Sequence, residues 1–508
     1  MEKIYSKIKK QEELKEIIGA LKGQNKKIVQ CHGVFDLIHP GHIRHLATAK
    51  KEGNVLVVTV TADEFVRKGP GRPIFNEQLR AENLAALEIV DYVAVNREPT
   101  AVNCIRRLRP DVYVKGQDYA DKEKDITGKI GEEEEAVVSV GGRMAFTNEI
   151  AFSSSKLINE HLPVFPAQTR AYLKEIAGRY PPERIFRALD GLKGLKVAVI
   201  GEAIIDQYHF CEGMDKSRKS NVVVYKYLSE ESFAGGSLAI ANHIAGVCDN
   251  VTLITATGSE PELAEFISLK MNPRINIVRF RREDAPTIIK RRFVNQNQKL
   301  FEICYLNESY PEQKAQRKIN TFVGREIGKY DAVVVADFGH GLFNSGLIKI
   351  ICDRAKFLAV NTQTNGANMG FNLITHYSGI DYASLDELEL RYAAHDRDRD
   401  LGEVMRSVAK RIGCRTLAVT RGYLGALGLS RKNGLIEAPA LASNVVDPVG
   451  AGDAFLSFTA PLVAMGAPDE LVLFIGNAVG ALAVQIVCNR QPVDPVYLKK
   501  FITTLLKG

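Results

Sequence analysis

From Lys27 onward, apolar and polar positions come in alternating blocks. The apolar run IVQC leads through a glycine-containing turn into the helical stretch HIRHLATAKKEG, and a second apolar run, VLVVTVTA, follows it. A short apolar run bounded by turn residues reads as a buried strand, and strand, crossover helix and strand together make a βαβ unit. The same alternation recurs in LRAENLAALEIV with DYVAVN and in IRRLRP with DVYVKG. It predicts an α/β fold with a doubly wound, Rossmann-like parallel sheet, whose ligands sit at the carboxyl ends of the strands.

Between Asp121 and Gly142 the chain becomes charged and glycine-rich, and the acidic run Glu132 to Glu135 reads as a solvated loop or helix end. Two proline clusters then flank helical stretches and suggest a linker. A second α/β pattern opens at LKVAVIGEAIID and continues through VTLITATG, AVVVADFG, FLAVNT and TLAVTRG. At 508 residues the chain exceeds one ordinary core. The expected division is a first domain at 1–162, a helical linker at 163–194 and a second domain at 195–508.

Composition narrows the function. With 45% hydrophobic and 25% charged residues the chain is of the soluble globular kind. Its formal net charge of +7 is spread among nearly balanced acids and bases, so no basic stripe suits a nucleic-acid backbone, whereas phosphorylated small substrates fit a mild excess. Eight cysteines stand far apart without a CxxC pair, as reduced thiols would. The opening MEKIYSKIKKQEELKEII reads as a charged amphipathic helix without a signal-peptide core, and no later run reaches membrane-spanning length. The expectation is a cytoplasmic protein with neither nucleic-acid nor membrane partners.

The most specific N-terminal motif is GVFDLIHPGHIRHL, in which Gly33 to Asp36 form a strand-to-helix turn and His39-Pro40-Gly41-His42 opens a helix. Two imidazoles three residues apart share a helical face. A helix N-terminus offers free N–H groups and a positive dipole end to a triphosphate, and the histidines add donors for charge that develops on the α- and β-phosphates. This stretch resembles the HxGH cytidylyltransferase-like superfamily, and RKGPGRP, NEQLRAENLAALE and FSSSKLI match further segments in order. The resemblance implies attack of a substrate phosphate on a nucleotide α-phosphate with pyrophosphate leaving. It assigns catalysis to His39, His42 and Lys68, and nucleotide contacts to Gly33, Phe35, Asp36, Gly41, Arg80, Lys115, Gly116, Asp118, Ser153, Ser154 and Ser155. Arg72 lies in the same loop as Lys68. VKGQDY at Val114 to Tyr119 looks like the segment found in adenylyltransferases that make ADP-heptose, which favours ATP, with CTP left open. His32 departs from the pattern, standing where those enzymes usually carry Asn.

Near the other end stands NVVDPVGAGDAFLSF. Its glycines let the backbone approach an anion at a helix start, and Asp453 is placed to take a proton from an attacking hydroxyl. The motif resembles the DTxGAGD signature of the ribokinase (PfkB-type) family, with Pro448 for the usual Thr. GEAIIDQY, FAGGSLAIAN, ADFGHG and TRG follow the family order. The resemblance implies catalysis by Asp453, nucleotide binding by Thr420, Gly422, Gly450, Ala451 and Gly452, and sugar binding by Asp206, Gly235, Gly236, Lys290 and Arg292. It also implies an indirect metal role for Glu387 and use of Mg2+ with ATP. His340 in ADFGHG reads as a loop residue.

KRRFVNQNQKLFEI, with Lys290, Arg292, Asn297 and Gln298, resembles the kinase half of the bifunctional heptose 7-phosphate kinase and heptose 1-phosphate adenylyltransferase. In that enzyme the kinase comes first, whereas here the transferase does. Several positions depart from the family pattern. Ala239 replaces an Asn, Asn361-Thr362-Gln363 replace an Asp-Pro-Lys run, Ser384 replaces the Asn of the NxxE motif, and Glu302 replaces a basic residue. The expected function is a bifunctional sugar kinase and sugar-1-phosphate nucleotidyltransferase. Its partners would be a sugar phosphate and a nucleoside triphosphate, and it would dimerise through a lid at Cys211 to Ser232. The alternative is an active transferase, with CTP open as its nucleotide and a sugar or polyol phosphate as its substrate, joined to a degenerate, regulatory or dimerising kinase-like domain.

Overall fold

The computed structural model describes residues 2–66, 69, 71–117, 129–147, 164–216, 219–296, 298–366 and 368–507. Lys68, Asp118, Ser153, Ser154, Ser155 and Asn297 lie outside the described residues. The chain divides into two compact units, one of Met1–Ala177 with Lys499–Gly508 and a second of Gly178–Leu498.

The first unit carries β1 (Ile28–Gly33), β2 (Val55–Thr61), β3 (Tyr92–Asn96), β4 (Val112–Gly116) and β5 (Arg143–Thr147). They form a parallel sheet in the order β3-β2-β1-β4-β5, as the alternation predicts. Residues 55–60 of β2 are all buried, because helices cover both faces of such a sheet. Connections run outward in opposite directions from β1 and β4, so the crevice beyond their carboxyl ends is the switch point where ligands bind.

Two local expectations change. The opening stretch is two helices, Glu2–Tyr5 and Gln11–Gly23, separated where Ile8 makes a strand bridge to Val93. The acidic run lies inside a helix, Lys129–Ser139, rather than in a loop or at a helix end. Ile130, Glu133, Ala136 and Val137 recur at helical spacing and are buried, which turns one glutamate of the run inward.

In the second unit the strands are β6 (Lys196–Gly201), β7 (Ala203–Lys216), β8 (Val223–Gly236), β9 (Asn250–Thr257), β10 (Asn276–Arg281), β11 (Ile288–Asn295), β12 (Gln298–Tyr305), β13 (Ala332–Asp337), β14 (Leu358–Thr362), β15 (Tyr382–Asp386), β16 (Thr416–Thr420), β17 (Ala426–Ser430) and β18 (Gly434–Ala438). The main sheet runs β10-β9-β6-β13-β14-β15-β16-β17-β18 and a smaller sheet runs β12-β11-β7-β8. Pro166, Pro181 and Pro182 stand beside the starts of the helices Ala167–Arg179 and Pro182–Asp190.

The smaller sheet positions chemistry through its register. Lys290 of β11 pairs with Asp206 of β7, and Arg292 pairs with Glu302 of β12 across an antiparallel ladder. Directly opposed residues present their side chains on one face, so these four charges gather at the sheet's inner end. Only the inner ends of β7 and β8 are fully buried; their outer halves, including Tyr227 and Leu228, stand in solvent.

Candidate active sites

In the first unit β1 ends at Gly33, and Phe35 turns the chain in a left-handed conformation, φ 49°. A Cβ at Gly33 would stand 3.1 Å from the Phe35 ring. The helix Pro40–Lys50 then starts with His39 as its N-cap, whose Nδ1 accepts from the Gly41 N–H at 3.1 Å. That bond fixes the neutral tautomer with its proton on Nε2, so His39 is both a cap and a hydrogen-bond donor. The His42 ring stacks on His39 at 3.9 Å between centroids, and Phe35 meets His42 edge-on at 5.3 Å. The two histidines therefore do share one space, as their spacing requires.

Three residues expected on the nucleotide make contacts within the scaffold. The Arg80 guanidinium is fully buried and donates to the carbonyls of Phe75, Val34 and Thr61 and to Asp63 Oδ1, at 2.5–2.9 Å. Asp36 is buried and accepts from the backbone N–H groups of Ile74 and Phe75. Lys115 pairs with the inward Glu133 at 2.8 Å. In each case a buried charge must be matched by local partners, and the nearest ones are backbone or a carboxylate rather than the cleft. Gly116 ends β4, and among the described residues nothing lies within 4 Å of where a Cβ would stand, so none of them demands glycine there. His32 bridges Thr59 and Thr61 through its two ring nitrogens, and burial, with Lys115 nearby, pushes its pKa down to about 3.

Because Arg80 ties the Val34 turn to the end of β2, Arg80→Met should cost about 3 kcal/mol or more. Thermal denaturation against the parent chain measures this, and an unchanged melting temperature would return Arg80 to the ligand-contact role.

The second unit holds two adjoining cavities. One, of about 240 Å³, is lined by Asp206, Gly236, Lys290, Arg292, Phe338 and Asp453 among others. The larger, of about 560 Å³, includes Asn361, Thr420, Gly422, Ala451 and Phe455 in its wall. Gln363, Gly450 and Gly452 belong to both walls. Gly450, φ 85°, caps the helix Ala451–Ala464, and a Cβ there would come within 2.2 Å of Asn489 Oδ1. This leaves a backbone cradle at a helix N-terminus, the geometry that binds a phosphate.

Asp453 stands in the first turn of that helix, facing the smaller cavity. Burial, with Asp206 adding to it, raises its pKa to about 7 against the pull of Lys290 and Gln363. A carboxyl poised near neutrality suits a general base. Asp447 is held in the opposite sense. Burial pushes it up, but bonds from Lys299, the Val449 N–H and Tyr208 outweigh this and keep it ionised.

Asp206 is gripped by Arg292, which also donates from Nε to Glu302 at 2.7 Å. Gly235 makes room for it, since a Cβ there would lie 2.0 Å from Asp206 Oδ2. The arginine charge is thus shared between two carboxylates, and Lys290 is the other cation on this wall. Glu387 does not line either cavity; Arg391 and Arg421 occupy its carboxylate. The acids in the larger wall are Asp386 and Glu389, and the two Glu389 oxygens are taken by the N–H groups of Thr364 and Asp386.

Sequence reasoning missed an asparagine-rich brace. Asn365 and Asn368 donate to the Phe338 carbonyl, and Asn372 donates to the carbonyls of Asp337 and Gln363. The repeated Asn in QTNGANMGFN was the available signal. On the other side of that loop, Glu202 accepts from the N–H groups of Phe338, His340 and Leu342, while His340 is buried and lines neither of the two cavities.

A carboxyl group at a helix start beside a backbone cradle, with cavities on both sides, is an arrangement suited to phosphoryl transfer of the carbohydrate-kinase kind. The chain belongs to the pfkB family of carbohydrate kinases, which it matches over residues 195–491, and residues 31–161 match the family described as Cytidylyltransferase-like. Among curated relatives, the Bifunctional protein HldE of Syntrophotalea carbinolica is 40% identical over 159 residues, 31% of each chain. That of Geobacter sulfurreducens is 42% identical over 141 residues, 27% of each chain. The chain thus spans less than a third of the length of these relatives. Escherichia coli phosphofructokinase-2 in complex with substrates and products superposes with a TM-score of 0.51 at 13% identity, covering 61% of this chain and 99% of that one. Its complex with potassium gives 0.50 at 15% identity with the same coverage, and both show the fold.

Proposed function

We propose that the C-terminal half phosphorylates the anomeric hydroxyl of a sugar with ATP, and that the N-terminal half joins the sugar 1-phosphate to an adenylyl group, giving an ADP-heptose-like product. The observation that carries this is the placing of Asp453 and the Gly450–Gly452 cradle between two formed cavities. The small cavity takes the sugar. Asp453 accepts the hydroxyl proton as the new O–P bond forms and the β–γ bridging bond breaks. The cradle's N–H groups meet the charge on the transferred phosphoryl group.

In the N-terminal half a sugar phosphate oxygen attacks the α-phosphorus, the α–β bridging bond breaks and pyrophosphate leaves. The His39 Nε2–H and the His42 ring supply donors for the charge on these phosphates. The kinship of the transferase half with HldE proteins supports adenylyl transfer. The family resemblance adds that the two modules stand in reversed order.

Magnesium accompanies the nucleotide. The buried Asn361 Oδ1 and Thr364 Oγ1 at the larger cavity have no hydrogen-bond partner among the described residues, and they fit a hydrated cation held mainly by phosphates. Glu387, with its charge spent on two arginines, is the poorer ligand. Bound there, the ion neutralises phosphate charge. The exposed Tyr227, Leu228, Phe301 and Ile303 of the smaller sheet support pairing with a second copy of the chain.

The test is a panel measuring pyrophosphate release from ATP or CTP with sugar 1-phosphates, and ADP release from ATP with free and distally phosphorylated sugars. Release from ATP with heptose 1-phosphate is expected. The carboxylates around Arg292 favour a kinase substrate whose distal end carries no second phosphate. Release with CTP alone would overturn the adenylyl reading.

A further inference from the structure

Gln363 follows β14 at the neck shared by both cavities. Its backbone is pinned on both sides: its N–H donates to the Asp337 carbonyl at 2.8 Å, and its carbonyl accepts from Asn372 at 3.2 Å. With the main chain fixed, the side chain reaches Asp453, where Nε2 donates to Oδ1 at 2.8 Å. Among the described residues, this is the side-chain hydrogen bond made by that carboxylate.

We propose that Gln363 is a positioning residue of the kinase half, holding one oxygen of Asp453 so that the other is presented to the sugar hydroxyl. The inference rests on the kinase reading above. A carboxylate that can rotate about its χ2 bond spends part of its time misdirected, and a donor fixed to the main chain removes that freedom. The type of donor matters too. The resemblance places the lysine of an Asp-Pro-Lys run here, and an ammonium at 2.8 Å would keep the acid ionised and weaken it as a base. A neutral amide orients Asp453 without adding a full charge. The charged groups that act on Asp453 are Asp206 from β7, Lys290 from β11 and Glu389 from the helix Glu387–Ala394. None of them makes a hydrogen bond to it, which leaves orientation to Gln363.

Carbon-13 labelling of aspartate carboxyls, with the Asp453 signal identified by its loss in Asp453→Asn, reads the titration directly. Gln363→Met should raise the Asp453 midpoint by about one pKa unit, and Gln363→Lys should lower it by a similar amount. In turnover, Gln363→Met should move the acidic limb of kcat/KM upward. It should also reduce kcat about tenfold at neutral pH, with KM for the sugar within twofold of the parent. A midpoint unmoved by both substitutions would overturn the proposal. Should Gln363→Met melt early, the opposite shift in Gln363→Lys still decides it. Absence of turnover by the parent with every sugar tested would sink the kinase reading alone, because the carboxyl titration needs no substrate.

Discussion

Asp453→Asn should lower sugar phosphorylation by about 10³-fold, while pyrophosphate release by the N-terminal half stays at the parent level. The same substitution should stabilise the chain at alkaline pH, and the sign follows from its raised pKa. The ordinary value is 3.8 and the folded value about 7. Burial disfavours the ionised form, so the contribution is fully present below about pH 4 and is lost as pH rises through about 7. An uncharged Asn avoids that loss. Denaturation at pH 8 should show a gain of about 2–4 kcal/mol over the parent, shrinking toward zero below pH 4. The parent's kinase rate should fall on the acid side of about pH 7, where Asp453 takes up its proton. Retained kinase activity in the variant would remove Asp453 from the reaction.

His39→Asn separates two jobs that one side chain performs. Asn is as good an N-cap as any residue, so the helix Pro40–Lys50 should keep its start and the melting temperature should move little. The Nε2–H donor is lost, however. Pyrophosphate release should fall by about 10²–10³-fold, mostly in kcat, as expected of a donor aimed at charge that develops during attack. A variant that melts early would mean that His39 serves chiefly as a cap. A folded, fully active one would mean that its ring nitrogen does not face the phosphates.

The sheet of the first unit, the main sheet of the second and the two motif-bearing turns were legible in the chain because each rests on local pattern: apolar runs of strand length, glycines at turns, and chemistry at a helix start. Partners brought in from a distance were not. Arg80 looked like a phosphate ligand, but the carbonyls that occupy it belong to Val34, Thr61 and Phe75, and only the fold brings these together. The acidic run hid its inward member, because Glu133 differs from its neighbours only by a helical phase that Ile130 and Val137 set. Glu387 and Glu389 are two positions apart on one short helix. Which of them reaches the cavity depended on Arg421 arriving from another strand connection. Gln363 stood in plain sight as a departure from a family pattern, yet its role appears only when Asp453, 90 positions later, lies beside it.

The space a side chain at Gly235 would fill is the space the Asp206 carboxylate occupies, with 2.0 Å between the notional Cβ and Oδ2. Positions 206 and 235 are therefore sterically coupled. A lineage that acquires even alanine at 235 must surrender the acid at 206 or tilt it away from Arg292. Ancestral or recombined versions of this domain that mix the two positions from different parents should lose sugar recognition while keeping every motif residue of the phosphate cradle.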